Sequence, residues 1–312
     1  MRSSIWPRFL GQGELKNTIH EPTHSIKVFV EPWQTGASNR LLQNCLMILI
    51  SHTNTVTFSV VSHCQSKLVC KFVTALAAQR VALIARVVVT SNVPVLDQFS
   101  DLLGIAQSYP FEVQLIENSN PNGFGANHNQ AFNLARDHFS LKDTDIFCVV
   151  NPDIEVFDPG LLPALHKALL KTTVGLAYPV QIGGDGKALD YERPLPSPRA
   201  IFLRQLARHS GWRLKDERSA TDWVSGAFMA FRVGVYAELG GFDERYFMYC
   251  EDVDLCLRAQ LAGYQLARAD ATVIHHTQRR TLKSLQHLSW HVQSLFRLWR
   301  SNAYHQYVKL RQ

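Results

Sequence analysis

The stretch FMYCEDVDLCLR, residues 247–258, sets Glu251, Asp252 and Asp254 among Phe247, Met248, Tyr249, Val253, Leu255 and Leu257. Carboxylates among side chains that favour burial are costly unless they are paired, capped or used. Val253, Cys256, Leu257, Gln260 and Leu261 recur at helical spacing and Gly263 follows, which predicts a helix over residues 252–262. Asp254 then has a partner one turn on, in Arg258. Glu251 and Asp252 fall at the helix N-terminus, where acids meet unpaired amides. Two adjacent acids exceed what one cap requires, and the aromatic approach RYFMY would line a pocket. A carboxylate in such a place can take the proton of a hydroxyl nucleophile.

Three further stretches carry candidate chemistry. In CVVNPDIEV, Asp153 follows an apolar strand; it reads either as an Asx turn helped by Pro152 or as a ligand for a hard divalent cation. NPNGFGANHN offers Gly123 and Gly125 ahead of a helix, as a plain loop or as a place where a ligand meets the backbone. TVIHH puts His275 after a short apolar strand, as an ordinary core or surface histidine or as a ligand.

The elements that must position these residues alternate. TVTFSVVSHC, ARVVVTSN, FEVQLIEN and DIFCVVNPD read as strands, with helical patterns up to about Gln79, over 127–139 and over 159–171. Such alternation predicts an α/β fold with a mainly parallel sheet flanked by helices. Ligands collect at the carboxyl ends of such strands, here Ser62-His63, Ser91-Asn92, Asn118 onward and Asn151-Pro152-Asp153. Residues 1–46 lack periodicity and read as a poorly ordered extension, with the folded unit starting near Met47. Residues 181–221 read as a mobile connection interrupted by a helical patch at 200–208.

Composition narrows the classes. The 312 residues are 46% hydrophobic and 19% charged, an ordinary globular balance. The net charge of +6 is carried by residues 271–312, which hold seven Lys/Arg and no acid, leaving 25 basic against 26 acidic side chains in residues 1–270. A basic tail of this kind meets an anionic surface, and no nucleic acid is expected as a partner. The six cysteines show no CxxC spacing and read as small hydrophobes in a reducing compartment. No apolar run approaches the ~18 residues needed to span a bilayer, and no signal-peptide layout is present, so a cytoplasmic location is expected.

Taken together, strand-SH, strand-SN, NGFG-helix, strand-NPD, DWVSGAFM, GGFDERYFMYCEDVDLCLRAQLAGY and ATVIHH resemble the inverting family-2 glycosyltransferases, over residues 55–278. Within that family the chain looks most like bacterial rhamnosyltransferases of O-antigen and cell-surface polysaccharide assembly. The resemblance implies a GT-A (Rossmann-like) domain over residues 47–278, followed by a basic amphipathic helical segment over 279–312. It implies that Asp252 is the catalytic base, with Glu251 beside it. Asp153 corresponds to the second acid of the family's DxD motif and His275 to a further metal ligand, for Mg2+ or Mn2+. Trp223, Ser225 and Gly226 would border the donor sugar and acceptor. Asn118, Gly123 and Gly125 would follow the donor nucleotide, and Ser62, Ser91, Asn92 and Asn151 would also contact donor or acceptor. The chain departs from the pattern twice: Asn151 replaces the first acid of DxD, and Thr90-Ser91-Asn92 stands where relatives often place an Asp against the base.

The implied activity is transfer of rhamnose from dTDP-rhamnose, with inversion, onto a saccharide linked to a polyprenyl diphosphate, in O-antigen or similar polysaccharide synthesis. Another nucleotide hexose, or a non-catalytic sugar-nucleotide or glycan-binding role, stands as the alternative. Leu285, Leu288, Val292, Leu295 and Trp299 form an apolar stripe with Arg279, Arg280, Lys283, Arg297 and Arg300 around it. It reads either as a helix packed on the domain or as a contact with the anionic inner face of the plasma membrane.

Overall fold

The computed structural model describes residues 54–79, 84–93, 99–199, 201, 221–277 and 285–311. The N-terminal extension, Met47, Arg279, Arg280, Lys283 and most of the 200–208 patch lie outside the described residues. In chain order the elements are β1 (Val56–Ser62), α1 (Ser66–Ala78), β2 (Ile84–Ser91), α2 (Ser100–Ala106), β3 (Glu112–Glu117), α3 (Phe124–Phe139), β4 (Ile146–Val150), β5 (Ile154–Glu155) and α4 (Leu161–Leu169). Then follow β6 (Val174–Ile182), β7 (Glu192–Arg193), β8 (Trp223–Val224), β9 (Phe228–Arg232), α5 (Val233–Glu238), α6 (Glu251–Leu261), β10 (Gln265–His275), α7 (Leu285–Trp299) and α8 (Asn302–Leu310).

One eight-stranded sheet runs β3-β2-β1-β4-β9-β6-β10-β5. β1 to β4 are mutually parallel, as are β6 and β10. β9 runs antiparallel between β4 and β6 and so joins the two parallel groups. A short antiparallel ribbon, β7-β8, stands apart.

The centre of the sheet is buried on both faces, and the alternation along its strands shows how. Ile146, Cys148 and Val150 of β4 join a core with Phe58, Phe72, Leu102 and Leu165. Phe147 and Val149, the intervening residues, join a second core with Phe132, Phe231, Tyr236 and Leu257. β-Branched and aromatic residues suit such strands, and β4 is buried at every position. The helix at the acidic stretch begins at Glu251, one residue before the predicted start, and its Asp254–Arg258 ion pair forms at 2.7 Å.

α7 and α8 add to the second core through Leu298, Tyr304 and Tyr307. α8 starts at a Ser301 cap whose hydroxyl accepts from the Tyr304 amide. Asp222 ties α8 down: 1% exposed, it accepts from the Leu195 amide at 2.7 Å, the Tyr307 hydroxyl at 2.9 Å and Arg311 Nη1, which lies 2.6 Å from each carboxylate oxygen. Removing the guanidinium leaves a buried carboxylate short of its strongest donor. Arg311→Ala is expected to lower the unfolding free energy by about 2 kcal/mol in urea denaturation. An unchanged midpoint would show that Tyr307 and Leu195 suffice.

Candidate active site

All the strand ends that matter lie on one edge of the sheet. β1, β2, β3 and β4 end there, and antiparallel β9 begins there, with Val150 paired to Phe228. The Asn151 amide accordingly donates to the Ala227 carbonyl at 2.9 Å, placing 151–153 beside 225–227. β10 reaches the same edge parallel to β6, and pairs back on β5 with His275 opposite Ile154. That register sets His275 next to Asp153, which lies 122 positions earlier in the chain.

Two adjoining cavities open on this edge. The first, about 660 Å³, is lined by Asn92, Asn151, Asp153, Ser225, Gly226, Glu251 and Asp252, with Asn122, Phe124, Asn127, Phe247, Tyr249, His287 and Trp290 around them. The second, about 760 Å³, shares Asn151, Asp153, Ser225, Tyr249, Glu251 and Asp252 and continues to Gln181, Arg193, Trp223, His275 and His291. Asp153 and Asp252, a hundred residues apart, therefore converge on one cleft.

Asp252 is fixed by main-chain donors. Its Oδ2 accepts from the Gly226 amide at 3.0 Å and its Oδ1 from the Val253 amide at 2.9 Å. Burial raises the Asp252 carboxyl above the usual carboxylate range, while those amides and the nearby Arg193 guanidinium pull the other way. Glu251 is pushed well above its ordinary value, chiefly by burial and then by the Asp252 charge, and its Oε2 is buried without a hydrogen-bond partner. The chain enters this helix through two consecutive left-handed residues, Tyr249 at φ 73° and Cys250 at φ 65°. Backbone in that region costs about 1–3 kcal/mol per residue, and surrounding contacts must hold it. Those contacts come from α7. The Tyr249 hydroxyl and His287 Nδ1 are 2.8 Å apart, the rings of Tyr249 and His291 are 5.1 Å apart, and Phe247 lies 4.8 Å from Trp290.

Asp153 and His275 present the features of a cation site. Asp153 Oδ1 is buried and unpartnered, and His275 Nε2 lies 3.4 Å from it. His275 Nδ1 faces the Gln181 amide oxygen at 3.2 Å. Asp153 Oδ1 and His275 Nε2 are the atoms that could together hold a divalent ion. Among the described residues no cluster of three His, Cys, Asp or Glu ligands forms. A divalent ion held there would need further oxygen ligands from outside the described side chains.

Of the residues expected at the site, Asn92, Asn151, Asp153, Ser225, Gly226, Glu251 and Asp252 line the first cavity, and Trp223 and His275 line the second. Ser62, Ser91, Asn118, Gly123 and Gly125 do not line either one. Ser62 and Ser91 are fully buried, and the Ser62 hydroxyl accepts from the Gln65 amide. Asn118 donates to Asn92 Oδ1 at 2.9 Å and to Asn127 Oδ1 at 2.6 Å, so it braces the wall from behind. A Cβ on Gly123 would fall 2.7 Å from the Phe247 carbonyl oxygen, and one on Gly125 would fall 2.5 Å from Phe242 Cβ. Both glycines admit protein, not ligand: the loop carrying the acids presses onto the start of α3, where the Phe124 amide donates to Phe247 at 2.9 Å.

Residues 52–290 match the profile of the family described as glycosyltransferase like family 2. The chain belongs to that family. It is 32% identical over 185 residues to the rhamnosyltransferase WbbL of Escherichia coli K12, covering 56% of this chain and 69% of that one. It is 30% identical over 208 residues to the N-acetylglucosaminyl-diphospho-decaprenol L-rhamnosyltransferase of Mycobacterium tuberculosis, covering 61% and 67%. The family-2 fold also superposes on the mannosyltransferase PcManGT of Pyrobaculum calidifontis, solved with GDP-Man and Mn2+, with a TM-score of 0.55 at 18% identity. That match takes in 79% of this chain but 65% of the other, somewhat less than two thirds of its length. S. aureus TarS with UDP-GlcNAc gives 0.52 at 12% identity, over 80% and 67% of the two chains. At those identities the likeness is one of fold, and the fold of this family-2 chain is GT-A.

The raised Glu251 carboxyl has a consequence for stability. Between the unfolded value for Glu, about 4.3, and its folded value, the native protein keeps a proton that the unfolded chain has released. Stability therefore falls as pH rises through that window. Glu251→Gln is expected to be more stable than the parent at neutral pH and to lose less between about pH 5 and pH 8. Thermal denaturation across that range checks this; parallel curves for the two proteins would mean that Glu251 stays ionised in the folded state.

Proposed function

We propose that this family-2 glycosyltransferase moves a rhamnosyl group from dTDP-rhamnose, with inversion, to a saccharide linked to a polyprenyl diphosphate, in assembly of an O-antigen or other cell-surface polysaccharide. The observation that carries the reading is the convergence of Asp153 and Asp252 on one cleft large enough for a nucleotide sugar and an acceptor. The rhamnosyl donor and the lipid-linked acceptor are supported by the names of the two relatives at 32% and 30% identity. The site of action is the inner face of the plasma membrane; no helix among the described residues is long and apolar enough to cross a bilayer.

Asp252 acts as general base. Its carboxylate, held by two amides, takes the proton of the acceptor hydroxyl as that oxygen attacks the anomeric carbon. Burial raises its proton affinity, which suits a base that must accept a proton during the step. Glu251, adjacent and buried, is raised further than its surroundings allow Asp252 to be, which favours the negative charge on Asp252. Asp153 and His275 would hold a divalent cation, with Asn151 adding a neutral oxygen beside them. Such an ion supplies Lewis acidity to the departing nucleoside diphosphate. Base and leaving group then sit on opposite sides of the sugar, and a single in-line displacement inverts the anomeric centre.

Asp252→Asn is expected to reduce transfer by about 10³-fold while calorimetry shows donor binding retained. Near-normal turnover in that variant would assign the base elsewhere. Asp153→Ala is expected to weaken Mn2+-dependent binding of dTDP-rhamnose and to leave metal-free binding little changed. A thermal-shift series over nucleotide sugars with Mn2+ identifies the donor, since the ligand that binds the folded state raises its midpoint; a larger shift with another nucleotide hexose than with dTDP-rhamnose would replace the proposed donor.

A further inference from the structure

α7 has two apolar faces that point away from each other. One is spent on the domain: Leu298 is fully buried, Ser294 donates to the Met248 carbonyl at 2.9 Å, and His287 meets Tyr249. The Trp299 indole donates to the Pro196 carbonyl at 2.7 Å, and Leu295 packs inward, so these two leave the stripe read from the sequence. The other face carries Leu285, Leu288, Val292 and Phe296, which are 87%, 51%, 43% and 52% exposed. Their spacing of three, four and four residues draws one line along the helix. Single exposed hydrophobics are ordinary; a continuous row of four marks a contact surface.

Beside Phe296 lies a third hollow, of about 600 Å³, lined by Arg245, Gln293, Phe296, Arg297, Arg300 and Ser301. Its lining holds three guanidiniums and no carboxylate. Asp243 fixes Arg245 through bonds of 2.9, 3.0 and 2.6 Å. Arg297 and Arg300 meet no carboxylate among the described residues, although Arg297 lies over the Tyr246 ring at 5.8 Å. Over residues 285–311 there are four Lys/Arg and no acid. The hollow shares no lining residue with either catalytic cavity.

We propose that the outer face of α7 lies on an anionic phospholipid bilayer, with its four apolar side chains among the acyl chains and a headgroup phosphate held in the Arg245–Arg297–Arg300 hollow. The chemistry fits in both parts. A row of apolar side chains flanked by cations is the pattern of a helix that rests in the interface plane. Planar guanidiniums match phosphate oxygens with two parallel donors each, and unpaired ones have that capacity to spare. A protein partner would require acidic groups set against the hollow and an apolar groove over the stripe; the bilayer surface offers both features at every point. The inference deepens the reading that the chain works at a membrane, and it stands on a surface separate from the cleft.

Flotation of the full chain with phosphatidylcholine vesicles, with and without phosphatidylglycerol, tests it. The parent is expected to float with the anionic vesicles and to detach as salt rises. Arg297→Gln/Arg300→Gln is expected to bind anionic vesicles about 25-fold more weakly, roughly fivefold per charge. Leu288→Ser/Phe296→Ser is expected to lose binding to the anionic vesicles while its circular dichroism stays that of the parent, and a variant that still floats as the parent does overturns the proposal. A parent that floats with neither kind overturns the proposal, as does an arginine double variant that binds as tightly as the parent. Transfer to a soluble acceptor, measured without vesicles, separates this outcome from the catalytic reading: its presence with failed flotation sinks the bilayer contact alone, and its absence with successful flotation sinks the transferase assignment alone.

Discussion

Everything at the site answers to one cost, two neighbouring carboxylates at the start of α6, Glu251 buried and Asp252 partly exposed to the cleft. Two negative charges side by side with so little water around them are disfavoured. The chain divides the problem unequally. Asp252 receives the amides of Gly226 and Val253 and the field of Arg193, and Glu251 is left with burial and a neighbour's charge. Two acids of similar intrinsic strength thereby acquire different proton affinities, a division that acid–base chemistry requires. The left-handed pair Tyr249–Cys250 is the geometric side of the same arrangement, because it turns the aromatic loop into the helix without any glycine.

The surrounding architecture follows from holding that loop in place. Gly123 lies against the Phe247 main chain, so the start of α3 and the approach to α6 meet backbone to backbone there. On the other side α7 grips Tyr249 through His287 and His291. The reversed strand β9 completes the enclosure, since only an antiparallel neighbour of β4 can begin at the edge where β4 ends. Residues 225–227 thus reach the acids from the sheet while 247–250 reach them from the loop.

Much of this was legible in the sequence wherever the signal was local. The helical spacing after Glu251, the Asp254–Arg258 pair and the buried run of β4 each follow from a few adjacent residues. At strand ends residue type is visible but direction is not. Side chains alternate along a strand, so Ser62 and Ser91 turn into the body while their successors His63 and Asn92 reach the cavity. Gly123 and Gly125 were read for a ligand because the sequence cannot show that Phe247 and Phe242 would occupy the same space. Arg193, Gln181, His287 and His291 went unnoticed since each acts through a partner far along the chain, with no spacing to betray it. β6 and β9 were missed as well; β9 is five residues long and departs from the parallel order that the earlier strands announce.

The clamp on Asp222 also orders events in time. Its guanidinium partner is 89 positions further along the chain, which at cellular elongation rates is a delay of roughly 5–18 s. Throughout that interval the residues of β1 to β4 have been made, whereas Asp222 has neither the Tyr307 hydroxyl nor the Arg311 guanidinium that it meets in the finished fold. The strand ends on one side of the cleft thus precede, in synthesis, the C-terminal helix that fastens the other.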